Sequence, residues 1–290
     1  MRLLLVHGIS QEGKSEAKIE AEWIAPLERG LNRTGASKGL DVRAPFYGDR
    51  LAKLTNRRGA EAIAQGLESQ QDMNEAMFIA AALSEQAQAA GVSARAIATE
   101  ERTQASGAVE QGFPMDRRIN AIVRVLEKIS PLHGDLVMGL LQQAYAYLKR
   151  PSVGSEIDAI VRPVLDTGPA VIVGHSLGTV VTFKLLRQLA LENRSVRVPL
   201  FITVGSPLTL MAVQAALGPA FNVPSGVERW LNAVDPDDFI ALGRGLDKGS
   251  FADGIENILD IRNIPSNPHS IEGYLSDPRV AAPIGAACGI

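Results

Sequence analysis

Apolar residues in this chain gather in short runs, separated by longer stretches with helical spacing. The runs Leu3–Val6, Leu40–Phe46, Ala170–Val173, Leu200–Val204, Arg229–Val234 and Ile258–Arg262 read as strands. Helical periodicity covers about Ser15–Leu31, Leu177–Leu191 and Leu208–Leu217, and Ser155–Leu165 leads into the third strand. Strands alternating with helices predict an α/β fold, a mostly parallel sheet of about six strands flanked by helices. In such a sheet the functional loops lie at the carboxyl ends of the strands. His7-Gly8, Ser176, Gly205-Ser206 and Asp235 all fall at such ends.

Residues 49–150 break this rhythm. The stretch is rich in Ala, Gln and Glu, as in Glu75-Ala76-Met77-Phe78-Ile79-Ala80-Ala81-Ala82-Leu83, and its pattern is helical. Its centre, Gly91 to Gly112, is polar enough to predict a mobile segment. Arg117–Ile129 and Asp135–Leu148 are more apolar. The pattern therefore divides the chain into a core over 1–48 and 151–290 and a helical insertion or cap over 49–150, placed where it could cover the functional face. The stripe of Leu136, Val137, Met138, Leu140, Leu141, Tyr145 and Leu148 reads first as core.

A chain of 290 residues can bury a large core, as one large domain or one domain with an insertion. The net charge of −3, with no run of Lys and Arg, argues against a nucleic-acid surface. One cysteine, Cys288, rules out an internal disulfide framework. The amino-terminal apolar run is too short for a signal peptide and reads as a first strand. No segment approaches the roughly 20 apolar residues of a membrane helix. These features predict a soluble cytoplasmic protein and leave its oligomeric state open. Without HExxH, CxxC or a cluster of His and Cys, neither a metal nor a cofactor is expected.

The chemistry centres on Gly174-His175-Ser176-Leu177-Gly178, between a strand and a helix. Glycines on either side of the serine permit a sharp turn, which leaves the hydroxyl projecting from the top of the sheet. The N–H of Leu177 then points where a tetrahedral oxyanion would form. A nucleophile so placed requires an acid and then a histidine further along. The strand at Trp230–Val234 ends in Asp235-Pro236-Asp237-Asp238-Phe239-Ile240, and Asn267-Pro268-His269-Ser270 follows the next strand. Ser176, Asp238 or Asp235, and His269 thus form a candidate triad, with the unused aspartate free to cap the following turn. The loop His7-Gly8-Ile9-Ser10 could supply a second oxyanion donor from the N–H of Ile9 or Ser10.

Four blocks resemble the α/β-hydrolase superfamily, most closely its lipase- and esterase-like branch: Val6-His7-Gly8, Val173 to Gly178, Thr203-Val204-Gly205-Ser206-Pro207, and Asn232 to Ala241 followed by His269-Ser270. The likeness covers residues 1–48 and 151–275. It implies a serine hydrolase acting on a small-molecule acyl ester, lipid-like substrates included, with no cofactor. Similar lipases place the catalytic acid in an Asp-x-[Val/Ile] step, which favours Asp238. The glycine-rich oxyanion loop of many esterases is reduced here to His7-Gly8, and the first two antiparallel strands of the full fold are missing. The insertion has no counterpart in the resemblance.

Two other readings compete. Gly8-Ile9-Ser10-Gln11-Glu12-Gly13-Lys14-Ser15 matches the P-loop pattern G-x-x-x-x-G-K-[ST] after a strand and before a helix. A nucleotide site also needs a Mg²⁺-coordinating acid at a neighbouring strand end, where only Asp235 qualifies. The third reading is a non-catalytic member of the fold that uses its insertion to bind a partner.

Overall fold

The computed structural model of the chain describes residues 1–55, 70–107, 114–129, 134–194, 196–219 and 221–290. His133 lies outside them. Six strands form one all-parallel sheet: β1 (Arg2–Val6), β2 (Asp41–Arg43), β3 (Ala170–His175), β4 (Phe201–Val204), β5 (Trp230–Ala233) and β6 (Ile255–Ile258). Their spatial order is β2-β1-β3-β4-β5-β6. Helix α1 (Glu16–Gly30) joins β1 to β2, and α7 (Leu177–Leu191) joins β3 to β4. Between β2 and β3 the described residues form α2 (Gln70–Ala89), α3 (Ala94–Gly107), α4 (Pro114–Ile129), α5 (Gly134–Lys149) and α6 (Pro151–Leu165). Helix α8 (Met211–Leu217) follows β4, and α9 (Ile271–Ser276) and α10 (Pro278–Cys288) close the chain. This α/β architecture is compatible with an α/β-hydrolase fold.

Alternation along each strand sorts its side chains onto two faces. Leu3, Leu5, Val171, Val173, Ile202 and Leu231 pack with α1, α9 and α10. Leu4, Val6, Ile172, Phe201 and Trp230 pack with α6, α7 and α8. The second core also takes in Ile79, Leu83, Ile97, Ile122, Leu140 and Leu141, so the helices between β2 and β3 share a core with the sheet. Burying each Leu or Ile contributes about 1.5–3 kcal/mol, which fixes these helices against the sheet face. Polar contacts add register. Glu85 on α2 accepts the Met211 and Ala212 N–H groups at the start of α8, and the Gln86 amide donates to Phe239 O at 3.3 Å.

Several boundaries differ from the expected ones. Strand β2 stops at Arg43, well short of Phe46, because the Ala44 N–H goes to the Glu16 carboxylate and Pro45 has no N–H to donate. Strand β6 lies three residues earlier than the run Ile258–Arg262, since the Asn257 side chain bonds both Asn232 and Leu246 O and so sets the pairing. The Leu208–Leu217 pattern splits into a 3₁₀ turn, Pro207–Thr209, and α8. Helix α6 starts at Pro151, whose missing N–H and fixed φ suit a first turn. Of the polar stretch 91–112, expected to be mobile, residues 94–107 are the helix α3, and 108–112 lie outside the described residues.

Candidate active site

Strands β1 and β3 are neighbours whose connections leave toward opposite edges of the sheet. A crevice must open beyond their carboxyl ends, where an open α/β sheet takes its ligands. His7-Gly8 leaves one lip of that crevice and Ser176 the other. Their approach is close enough to require glycine, because a Cβ on Gly8 would lie 2.6 Å from Ser176 Cβ. A Cβ on Gly178 would lie 2.0 Å from Val6 O, which ties the elbow to β1. Ser176 itself has φ 54° and ψ −129°, a conformation that costs an L residue on the order of 1–3 kcal/mol. It is held there by its N–H on Val204 O at 3.1 Å and by its carbonyl, which accepts the Thr179 N–H and hydroxyl.

Ser176 and His269 line one cavity of about 410 Å³. The Ser176 hydroxyl has no hydrogen-bond partner among the described residues. No hydrogen bond joins Ser176 to His269 in this structure. Ile9 lines the same cavity, while Leu177 opens α7 directly after the serine. Among the described residues neither the Leu177 nor the Ile9 N–H has a hydrogen-bond partner. The remaining wall is largely polar, with Ser10, Gln11, Lys14, Glu22, Asn267 and Glu272. Of the α5 stripe, only Leu136 reaches this wall, whereas Val137, Leu140, Leu141 and Tyr145 are buried.

His269 meets Asp238, with Nδ1 and Oδ2 2.8 Å apart. The carboxylate fixes the proton on Nδ1 and leaves Nε2 as the basic nitrogen. Asp238 Oδ1 accepts the Ile240 N–H at 2.9 Å, and Oδ2 also accepts the Tyr274 hydroxyl at 2.7 Å. Burial pushes the Asp238 carboxyl up, but the charge of His269 and these hydrogen bonds outweigh it and hold the group below its ordinary value. Gly205, at φ 54°, makes room for the pair: a Cβ there would lie 2.9 Å from Asp238 Oδ2 and 3.0 Å from the His269 ring.

Asp235 is turned elsewhere. Its Oδ1 accepts the Asp237 N–H at 2.8 Å, and its Oδ2 accepts the Asn263 N–H at 2.7 Å. The Asn263 amide in turn donates to Pro268 O and Ser270 O, the carbonyls on either side of His269. Asp235 thus braces the histidine loop without touching the imidazole. Gly273 admits this clamp, since a Cβ there would overlap Asn263.

Two other histidines complete the crevice, and neither was a candidate from the sequence. His7 Nε2 accepts the Tyr47 N–H at 3.2 Å, so the ring carries its proton on Nδ1, 2.7 Å from Gly8 O. Burial, opposed by that carbonyl and reinforced by Lys14, lowers its pKa to about 4. His175 donates from Nε2 to His269 O at 2.8 Å, and burial followed by the neighbouring His269 lowers its pKa to about 3. Asn263, Tyr274 and His175 escaped sequence reasoning because nothing in local spacing marks a contact across separate loops. His175 sat inside the serine motif and was the one member that could have been suspected.

The P-loop-like segment is committed to carboxylates. The Gly13 N–H donates to Asp49 at 2.7 Å, and Lys14 pairs with Glu22 at 2.5 Å. Ser15 caps α1 by accepting the Lys18 N–H. The groups a phosphate would need already face anions, and Asp235 is bonded to backbone rather than open to a cation. Among the described residues no cluster of His, Cys, Asp and Glu could hold a metal, and no helix is long and apolar enough to cross a membrane. No family model matches the chain, and no curated protein matches it.

Proposed function

We propose that this protein is a serine hydrolase that cleaves carboxylic esters through an acyl-enzyme. The observation that carries this reading is a strained, unpartnered Ser176 hydroxyl sharing one cavity with His269, whose Nδ1 lies on a buried Asp238. His269 Nε2 takes the Ser176 proton as Oγ attacks the ester carbonyl, and the carbonyl π electrons move to oxygen. The Leu177 and Ile9 N–H groups receive that oxyanion. The tetrahedral adduct collapses, the C–O bond to the alcohol breaks, and the imidazolium returns its proton to the leaving alkoxide. Water then repeats the sequence on the acyl-enzyme, releasing the acid and free serine. Asp238 keeps the imidazole tautomer fixed and stabilises the imidazolium throughout.

The cavity favours a short, polar ester over a long acyl chain, since Ser10, Gln11, Asn267 and the Lys14–Glu22 pair occupy its wall. The test is covalent labelling by a fluorophosphonate probe, followed by turnover of short acyl esters. Wild-type protein should be labelled and Ser176→Ala should not. Absence of label on folded wild type would sink the proposal. Labelling without turnover of any ester would redirect it to an amide, a thioester or acyl transfer.

A further inference from the structure

We propose that Tyr274 is a positioning residue of this site, which orients the Asp238 carboxylate and shares its charge so that Asp238 steers His269 without over-binding its protonated form. The inference rests on the hydrolase reading, but its geometry is independent of the serine. Tyr274 is fully buried on α9, and its hydroxyl stands between the two aspartates. The oxygen accepts the Asp235 N–H at 3.1 Å and donates its proton to Asp238 Oδ2 at 2.7 Å. The Asp235 N–H occupies the accepting side, so the phenolic proton has one direction left, toward Asp238. Burial and the adjacent Asp238 hold the phenol in its protonated form well above its ordinary range, so it remains a donor at every pH where the site could work.

The oxygen that receives this proton is the one that receives the His269 Nδ1–H. A carboxylate oxygen with two donors offers each less charge than it would offer alone. Removing the Tyr274 donor therefore strengthens the hold of Asp238 on the imidazolium. Tyr274 also stops the carboxylate rotating about its Cβ–Cγ bond, which would spoil the line to Nδ1. The other groups around His269 are His175 at the end of β3, His7 after β1, Glu272 on α9, and Lys14 and Glu22 across the cavity. None of them donates a hydrogen bond to Asp238. Replacing Tyr274 by Phe leaves all of them in place but removes both the donor to Asp238 and the acceptor of the Asp235 N–H, whereas 3-fluorotyrosine keeps both bonds and changes only the strength of the donor.

The experiment titrates the His269 imidazole by NMR in wild type and Tyr274→Phe, and measures fluorophosphonate labelling of Ser176 across pH. The variant should move the His269 midpoint and the acidic limb of labelling upward together by about half to one pH unit. The plateau rate should fall about threefold to tenfold. Incorporation of 3-fluorotyrosine at position 274, a stronger donor of similar shape, should move the midpoint down and serves if Phe prevents folding. A folded variant whose midpoint stays at the wild-type value overturns the proposal, whatever happens to the plateau. Wild type that takes no phosphonate overturns the hydrolase reading, a separate result that the NMR titration distinguishes.

Discussion

Asp235 and Asp238 share one loop, and their neighbours divide the work between them. Asp238 faces the imidazole, so Asp238→Asn would offer an amide N–H to Nδ1 and force the proton onto Nε2, where it blocks uptake of the serine proton. Such a change of tautomer should lower kcat about 10³–10⁴-fold with the fold intact. Asp235→Asn keeps one accepting oxygen for Asp237 or Asn263 and should cost less than about tenfold in kcat, with a stability loss of about 1–2 kcal/mol. Ester turnover and urea unfolding of both variants check this, and equal kcat losses would contradict the division. That Ser176 and His269 would face one crevice was legible because an elbow and the chain order are sequence properties. Spacing alone could not separate two acids in one turn. The separation came from Asn263, a residue on another loop that takes Asp235 away from the imidazole.

At the scale of elements, the carboxyl half of the sheet is stitched by polar side chains as well as backbone. The Trp230 indole N–H donates to Thr203 Oγ1, whose hydroxyl donates to Asn232 Oδ1, and the Asn232 amide donates to Asn257 Oδ1. Thr203, Asn232 and Asn257 are register partners across β4, β5 and β6, so the chain of bonds forms only if all three strands are aligned. Asn232 is fully buried. Asn232→Leu would leave the Thr203 hydroxyl without its acceptor and remove one of the two donors to Asn257 Oδ1, the Leu246 N–H being the other, a loss of about 1–3 kcal/mol. Urea unfolding measures it, and a variant as stable as wild type would show the ladder to be dispensable. The same ladder explains the shifted strand. Ile255-Glu256-Asn257-Ile258 lacks a continuous apolar run because it is a half-exposed edge whose central residue is chosen for its amide. Runs such as Ala170–Val173, buried on both faces, announce themselves by composition. The helices between β2 and β3 were legible as helices, but their shared core with the sheet was not, since periodicity says which face is apolar and not what it meets.

For the whole molecule, the crevice at the carboxyl ends of β1 and β3 has a consequence for stability against pH. His7 and His175 are neutral in the folded protein, with pKa values lowered to about 4 and about 3. In the unfolded chain a histidine titrates near 6.5. Between these limits the unfolded state binds more protons, so stability must fall as pH drops from about 6.5 toward 4. Each pH unit in that window removes about 1.4 kcal/mol per fully shifted group, and a small reserve of about 5–15 kcal/mol cannot absorb much of that. Asp238 acts in a lower window: its held-down carboxyl contributes fully above the ordinary Asp value of 3.8, and that contribution is lost as pH falls through its lowered folded value. Acid unfolding should therefore begin with the histidines, before the carboxylates titrate. Urea midpoints measured from about pH 7.5 down to 4.5 should decline steadily below 6.5. His7→Gln, which keeps an acceptor for the Tyr47 N–H, should lower the slope. A midpoint that holds flat to pH 5 would mean that both rings charge without unfolding the crevice, which their packing against Tyr47 and His269 opposes.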